Sequence, residues 1–141
     1  MIKTKKELYT CGVELTSEIL SGKWKLMILW YLRNEKIRFG QLKKYLDGIS
    51  EKVLSRELKE LIQLDLINKK IYYEKPLKVE YSLTNCGRTL LPILYSIFEW
   101  GTGYAKTFDV KLKISDSTIY KVLNEKMNFQ NRTDEEKNLI S

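Results

Sequence analysis

The stretch that decides the fold runs from Arg38 to Leu83: RFGQLKKYLDGISEKVLSRELKELIQLDLINKKIYYEKPLKVEYSL. Phe39, Leu42, Tyr45 and Leu46 stand at helical spacing, and Asp47-Gly48 then predicts a turn. Ser50 is a good helix N-cap. From it Leu54, Leu58, Leu61 and Ile62 make an i, i+4, i+7, i+8 stripe that predicts a helix to about Leu66. There the period changes to two. Ile67 to Tyr73 and Lys78 to Leu83 read as strands, the second alternating Val79, Tyr81 and Leu83 against Lys78, Glu80 and Ser82. Glu74 to Leu77 joins them, and Pro76, which cannot donate to a ladder, belongs in that loop or on an edge. The reading is a hairpin with a basic tip.

Working outward, Val13 to Leu20 predicts a short helix stopped by Ser21-Gly22. Lys23 to Leu32 is apolar almost all round, as a central core helix must be. After the hairpin, Thr84 or Asn85 caps a long apolar helix carrying Leu90, Leu91, Ile93, Leu94, Ile97, Phe98, Trp100 and Tyr104, with Pro92 marking either a kink or its effective start. The order is helix, helix, short helix, tight turn, helix, hairpin, helix. It predicts an α+β, mainly α chain: a winged helix-turn-helix with added N- and C-terminal dimerisation helices. Ile119, Leu123 and Met127 suggest one more helix, and the polar, aperiodic Asn128 to Ser141 is expected to be mobile. The expected division is an N-terminal arm at 1–10, the winged domain with dimerisation helices at 11–105 and a C-terminal extension at 106–141.

Composition excludes much of enzyme chemistry. The 141 residues include no His and two Cys, so Ser-His-Asp and Cys-His sites, His-ligated zinc and a four-ligand structural zinc site are all ruled out. There is no GxGxxG and no GxxxxGK[ST] phosphate loop. No enzyme constellation, metal site or cofactor is expected. The longest apolar run is the seven residues Leu26 to Leu32, well short of the roughly 18 that a membrane span needs. Met1 to Thr10 lacks a signal-peptide apolar stretch, and the expected location is cytoplasmic.

The net charge is +7, and Lys36 to Lys78 alone carries eleven Lys and Arg against six Asp and Glu. A basic balance suits a phosphate backbone, although many solvated surfaces are as basic. On the Ser50 helix the face opposite the leucines shows Lys52, Ser55, Arg56, Lys59 and Gln63. Lys52 and Arg56 are like charges at i, i+4, which costs an isolated helix about 0.2–0.5 kcal/mol that a polyanion would remove. Ser50, Glu51, Lys52, Ser55 and Arg56 occupy the half of the helix that a recognition helix presents to base edges. There Arg56 can pair bidentately with guanine and Glu51 can accept from cytosine N4, while Lys59 is better placed for phosphate. Lys75 and Lys78 at the hairpin tip, Lys43 and Lys44 on the preceding helix and Arg38 at its start are phosphate candidates; each is also explicable as an ordinary surface cation. Leu91, Leu94, Tyr95, Phe98 and Trp100 either close the core or meet a second subunit, and a dimer would set two recognition helices one DNA turn, ~34–36 Å, apart on a pseudo-palindromic operator. Cys11, before the first helix and near Lys5 and Lys6, reads either as a reactive thiol or as a small buried hydrophobe; Cys86 reads as structural.

Cys11-Gly12-Val13-Glu14, Gly22-Lys23-Trp24-Lys25, Arg38-Phe39 with Leu42, Gly48-Ile49-Ser50, Val79-Glu80-Tyr81-Ser82-Leu83-Thr84, Gly87-Arg88 and Trp100-Gly101, in that order, resemble the HxlR family of bacterial winged-helix regulators. The resemblance implies a transcription regulator that binds double-stranded DNA as a homodimer paired through its outer helices. It also implies a recognition helix matching Ser50 to Leu66 and a wing matching Ile67 to Leu83. Some relatives sense quinones, hypochlorite or other electrophiles through a Cys at the position Cys11 matches, and many others retain a Cys there without established sensing, so the resemblance leaves both roles open for Cys11. Gly12 stands where the family usually has Pro, and Cys86 where it often has an apolar residue. A rival reading is a winged helix that binds another protein and shows weak salt dependence.

Overall fold

A computed structural model describes residues 2–140, and the chain divides into two units, Met1–Leu90 and Leu91–Ser141. In the first unit the order is α1 (Gly12–Ile19), α2 (Lys25–Tyr31), β1 (Ile37–Arg38), α3 (Phe39–Tyr45), α4 (Glu51–Gln63), β2 (Ile67–Tyr72), β3 (Lys78–Leu83) and α5 (Asn85–Arg88). The helix-turn-helix is α3, a turn and α4. Gly48 takes φ +87° in that turn, a conformation that strains other residues. Leu46 and Ile49 on either side point into the core. Ser50 is the N-cap, its Oγ accepting from the Val53 amide at 3.1 Å, an arrangement worth about 1 kcal/mol.

The leucine stripe of α4 packs as its spacing predicts: Leu54, Leu58 and Leu61 are buried, as are Ile28 and Leu29 of α2, Leu32 just after it and Leu42 of α3. Ile62 falls at the margin of that face and is exposed. At the far end Asp65 turns left-handed, φ +58°, in the position glycine usually takes after a helix, and the Leu66 amide reaches back to the Leu61 carbonyl at 3.0 Å.

The sheet has the order β1-β3-β2, antiparallel throughout. β2 and β3 form the hairpin, from Ile67 opposite Leu83 to Tyr72 opposite Lys78, and Glu74 to Leu77 lie in its tip. β1, which no sequence periodicity announces, adds two residues on the other side of β3, Ile37 facing Tyr81 and Arg38 facing Glu80.

A small polar clamp fixes the hairpin base. The Thr84 hydroxyl donates to the Asp65 carbonyl at 2.6 Å and accepts from the Gly87 amide at 2.9 Å, while the Thr84 amide bonds the Leu66 carbonyl at 3.1 Å. Gly87 is buried here, and a Cβ at this position would lie 2.1 Å from the Leu66 carbonyl oxygen. Gly87→Ala therefore forces backbone apart, and a thermal melt should show a loss of about 1–3 kcal/mol; an unchanged melting temperature would mean that the clamp opens at no cost.

The long helix expected from Thr84 onward is two helices. Pro92 cannot donate to the carbonyl four residues back and disfavours helical backbone at the residue before it, so α5 ends at Arg88 and α6 (Leu91–Thr107) starts afresh with Pro92 in its first turn. The boundary between the two compact units falls at this break, after Leu90.

The second unit holds α6 and α7 (Asp116–Ile140). Ser115 opens α7, its Oγ accepting from the Thr118 amide at 3.3 Å. Val122 is the buried residue of α7, Lys126 pairs with Glu99 at 2.8 Å, and Phe129 meets Tyr95 with ring centroids 6.3 Å apart. The expected stripe Ile119, Leu123, Met127 is only partly inward, and Met127 is exposed. A strict four-residue repeat drifts by about 40° per step on a 3.6-residue helix, which carries Met127 off the packed side. Helix α7 continues through Ile140, across the segment that lacks apolar periodicity, and is built there from residues of good helix propensity such as Gln130, Arg132, Glu135, Glu136 and Lys137. Ser141 lies outside the described residues. No helix among the described residues is long and apolar enough to cross a membrane.

Candidate nucleic-acid interface

The turn at Gly48 and the Ser50 cap determine which side chains α4 turns outward. With Leu54, Leu58 and Leu61 inward, helical geometry leaves Glu51, Lys52, Ser55, Arg56 and Lys59 on the opposite side, and all five are exposed, as is Ser50. The side chain of Arg56 is 59% exposed, and its guanidinium lies 3.6 Å from Oε1 of the buried Glu57. Lys43 and Lys44 sit in the last turn of α3, where cations suit the helix dipole, and both are exposed. Arg38 is exposed at the junction of β1 and α3. Lys43, Lys44, Lys52, Lys59 and Lys75 have no carboxylate partner among the described residues, so their charge is available to an external anion.

Two hairpin cations nominated together behave differently. Lys75 is exposed at the tip. Lys78 is half-buried: its ammonium lies 2.8 Å from Glu80 Oε1 and 4.7 Å from the centre of the Tyr72 ring. The hydrogen bond from Lys78 holds the Glu80 carboxyl below its ordinary range, so the pair stays ionised and Lys78 offers little free charge. The position of Lys78 at the start of β3, opposite Tyr72, explains the difference. Lys69 and Lys70 on β2 are exposed instead, with the Lys70 ammonium 4.8 Å from the centre of the same ring. Sequence reading counted these two in the local charge without assigning them to the interface; their place in a strand of exposed Asn68, Lys69, Lys70 and Ile71 was the available signal.

A buried charge went unnoticed as well. Lys25 lies in the run read as apolar, is 5% exposed, and reaches Glu57 and Glu60 on α4. Glu57 sits between Leu54 and Leu61 on the inward side of α4, and a carboxylate in a leucine stripe is the feature that asks for a buried cation.

On α6 the five nominated interface residues do not form one surface. Leu91, Leu94 and Tyr95 are buried, Phe98 is half-buried and only Trp100 is exposed, at 70%. The face open to solvent is Ile93, Ile97, Trp100 and Tyr104, at i, i+4, i+7 and i+11, with the Trp100 and Tyr104 rings stacked 5.2 Å apart. An all-round apolar helix does not reveal from sequence which side its own fold covers.

Cys11 is exposed and occupies the N-cap position of α1. Its sulfur makes no full capping hydrogen bond, but the amides of Glu14 and then Val13 favour the thiolate and lower the pKa below that of an ordinary thiol. Of the two nearby cations expected to help, Lys5 and Lys6, the second is ion-paired with Glu14. Cys86 is exposed in α5 rather than packed, and both cysteines are free thiols.

A capped helix behind a glycine turn, a basic outward face and a hairpin wing in a three-stranded sheet define the winged helix-turn-helix class of DNA-binding fold. Residues 19–109 match the model of the HxlR-like helix-turn-helix family. The chain belongs to that family of transcriptional regulators. It is 47% identical over 98 residues to the MalR protein of Fusobacterium mortiferum, covering 69% of this chain and 92% of that one. It is 41% identical over 98 residues to the HTH-type transcriptional regulator YkvN of Bacillus subtilis, covering 70% and 83%. Among solved structures it resembles the redox regulator HypR in its oxidized form, with 36% identity, a TM-score of 0.63 and coverage of 66% of this chain and 96% of that one. Cys11 precedes the residues matched by the family model and α7 follows them.

Proposed function

We propose that the chain is a sequence-specific DNA-binding regulator that acts as a homodimer, with α4 in the major groove and the β2–β3 hairpin as the wing. The observation that carries this reading is the exposed Lys52, Ser55 and Arg56 on the capped N-terminal half of α4, behind a turn that only Gly48 makes without strain. Arg56 and Glu51 supply base discrimination, and Ser50, Lys52 and Ser55 share that end of the groove. Lys59, Lys43, Lys44, Arg38 and Lys75 neutralise phosphates, and Lys69 and Lys70 replace Lys78 as the exposed cations of the wing. The second subunit meets the Ile93, Ile97, Trp100 and Tyr104 face of α6, whose apolar spacing fits pairing with another helix. The test is a titration against the protein's own upstream promoter duplex and a scrambled duplex at several salt concentrations. Nanomolar affinity that prefers the promoter and falls steeply with salt is expected; weak, equal, salt-insensitive binding would favour the protein-interaction alternative.

Cys11 is the redox-responsive group in this reading. Two observations support it: a lowered thiol pKa at an exposed helix start, and the resemblance to HypR, a redox regulator. A depressed thiol pKa means that the reactive thiolate persists to lower pH. The rate of Cys11 alkylation by iodoacetamide, plotted against pH, should therefore have its midpoint below that of a free thiol, and oxidant should change promoter affinity in the parent but not in Cys11→Ser. A midpoint at the ordinary thiol value, or equal oxidant responses in both proteins, would remove Cys11 from the mechanism.

A further inference from the structure

Lys25 is an unusual residue to find in the central helix of a small core. Its ammonium lies 2.6 Å from Glu57 Oε2 and 2.5 Å from Glu60 Oε2, so one cation of α2 holds two carboxylates on successive turns of α4. Lys25 and Glu57 are 5% and 6% exposed, and no buried side-chain polar atom among the described residues lacks a partner. Burial works against the Lys25 charge, but the hydrogen bonds to Glu57 and Glu60 outweigh it and the pKa is raised; the bond from Lys25 likewise lowers that of Glu60. Both shifts favour the charged forms of Lys25 and Glu60.

A buried ion pair is a poor device for stability alone, since well-packed apolar side chains of similar volume do as well or better. What it supplies is direction. Lys25 engages Oε2 of the buried Glu57 carboxylate, and Oε1 of the same carboxylate lies 3.6 Å from the exposed Arg56 guanidinium. The path from the core to the outward face of α4 is thus Lys25, Glu57, Arg56, with each member charged and the two glutamates balanced by the two cations.

We propose that Lys25 is a positioning residue for DNA specificity: by fixing the Glu57 carboxylate from below, it orients Arg56 on the face that reads bases. The inference rests on the reading of α4 as a recognition helix. It assigns Lys25 and Glu57, neither of which faces the nucleic acid, to discrimination between sequences, whereas Lys52 and Lys59 govern affinity for any duplex.

The experiment uses the full-length protein and measures affinity for the promoter duplex, for its single-base-pair variants and for a scrambled duplex. Parent, Glu57→Gln, Lys25→Met and Arg56→Ala are compared, together with Glu57→Gln in the Arg56→Ala background. Glu57→Gln keeps an acceptor for Lys25 and removes the charge that holds Arg56, so it remains testable if Lys25→Met fails to fold. Glu57→Gln should keep scrambled-duplex affinity within about 2-fold while losing roughly 5- to 10-fold of discrimination at the base pair whose readout Arg56→Ala abolishes. In the Arg56→Ala background it should have no further effect there. Unchanged discrimination in Glu57→Gln would overturn the inference and leave the DNA-binding reading intact. A uniform loss on every duplex that tracks a lowered melting temperature would also overturn it, since that is what a purely structural pair produces. A parent that does not distinguish promoter from scrambled duplex would remove the recognition-helix reading and this inference with it.

Discussion

The doubly reversed variant Lys52→Glu/Arg56→Glu loses promoter preference altogether and binds promoter and scrambled duplexes with the same weak affinity. Both side chains are exposed, so their reversal leaves the buried Leu54, Leu58 and Leu61 face of α4 untouched. A bidentate base contact is worth about 1–3 kcal/mol of discrimination, and a carboxylate facing phosphate adds repulsion. Together they should cost at least about 100-fold in promoter affinity at moderate salt, by the same order of contact energies. The new like-charge pairs at i, i+4 on the helix, 52 with 56 and 56 with Glu60, cost only about 0.2–0.5 kcal/mol each, so the melting curve should stay close to that of the parent. A variant that melts normally and still prefers the promoter as strongly as the parent would sink the assignment of α4 as the reading helix.

The second large effect concerns α6. Introducing charge at two neighbouring positions of its open face, Ile97→Glu with Trp100→Glu, places four carboxylates in a two-fold seam, and the protein should sediment as a monomer at micromolar concentration. Losing the partner removes the second half-site contact, and with it roughly 10²- to 10⁴-fold of operator affinity, the usual gain from linking two binding events. The choice of residues matters. Leu91, Leu94 and Tyr95 are buried in the chain itself, so changing them would report on folding and not on pairing. Persistence of a dimer in the charged variant, or a monomeric parent, would place the contact elsewhere or remove it.

Much of the winged domain was legible because its signals are local. The Ser50 cap, the leucine stripe and the change of period after Leu66 each reside within a few residues, and the structure places α4 and the hairpin where they predict. β3 spans Lys78–Leu83 as read. Features that depend on distant partners were not legible. β1 is two residues long and exists only by pairing with Tyr81 and Glu80, more than forty positions away. Lys25 is buried only because Glu57, in another helix, answers its charge. The inward and outward sides of α6 differ little in hydrophobicity, so only its packing shows that Tyr95 is covered and Trp100 is not. The end of α7 was missed for the opposite reason: its residues favour helix without the apolar rhythm that marks a buried one.

The Thr84 clamp has a mechanical consequence. Because one hydroxyl ties the last turn after α4 to the strand that closes the wing, the hairpin is a cantilever, anchored at its base and free at Glu74 to Leu77. A force on the tip is therefore carried to the root, where it meets the hydrogen bond on the Asp65 carbonyl rather than a loose joint, whereas a change in the length of the tip leaves the bonds of the root as they are.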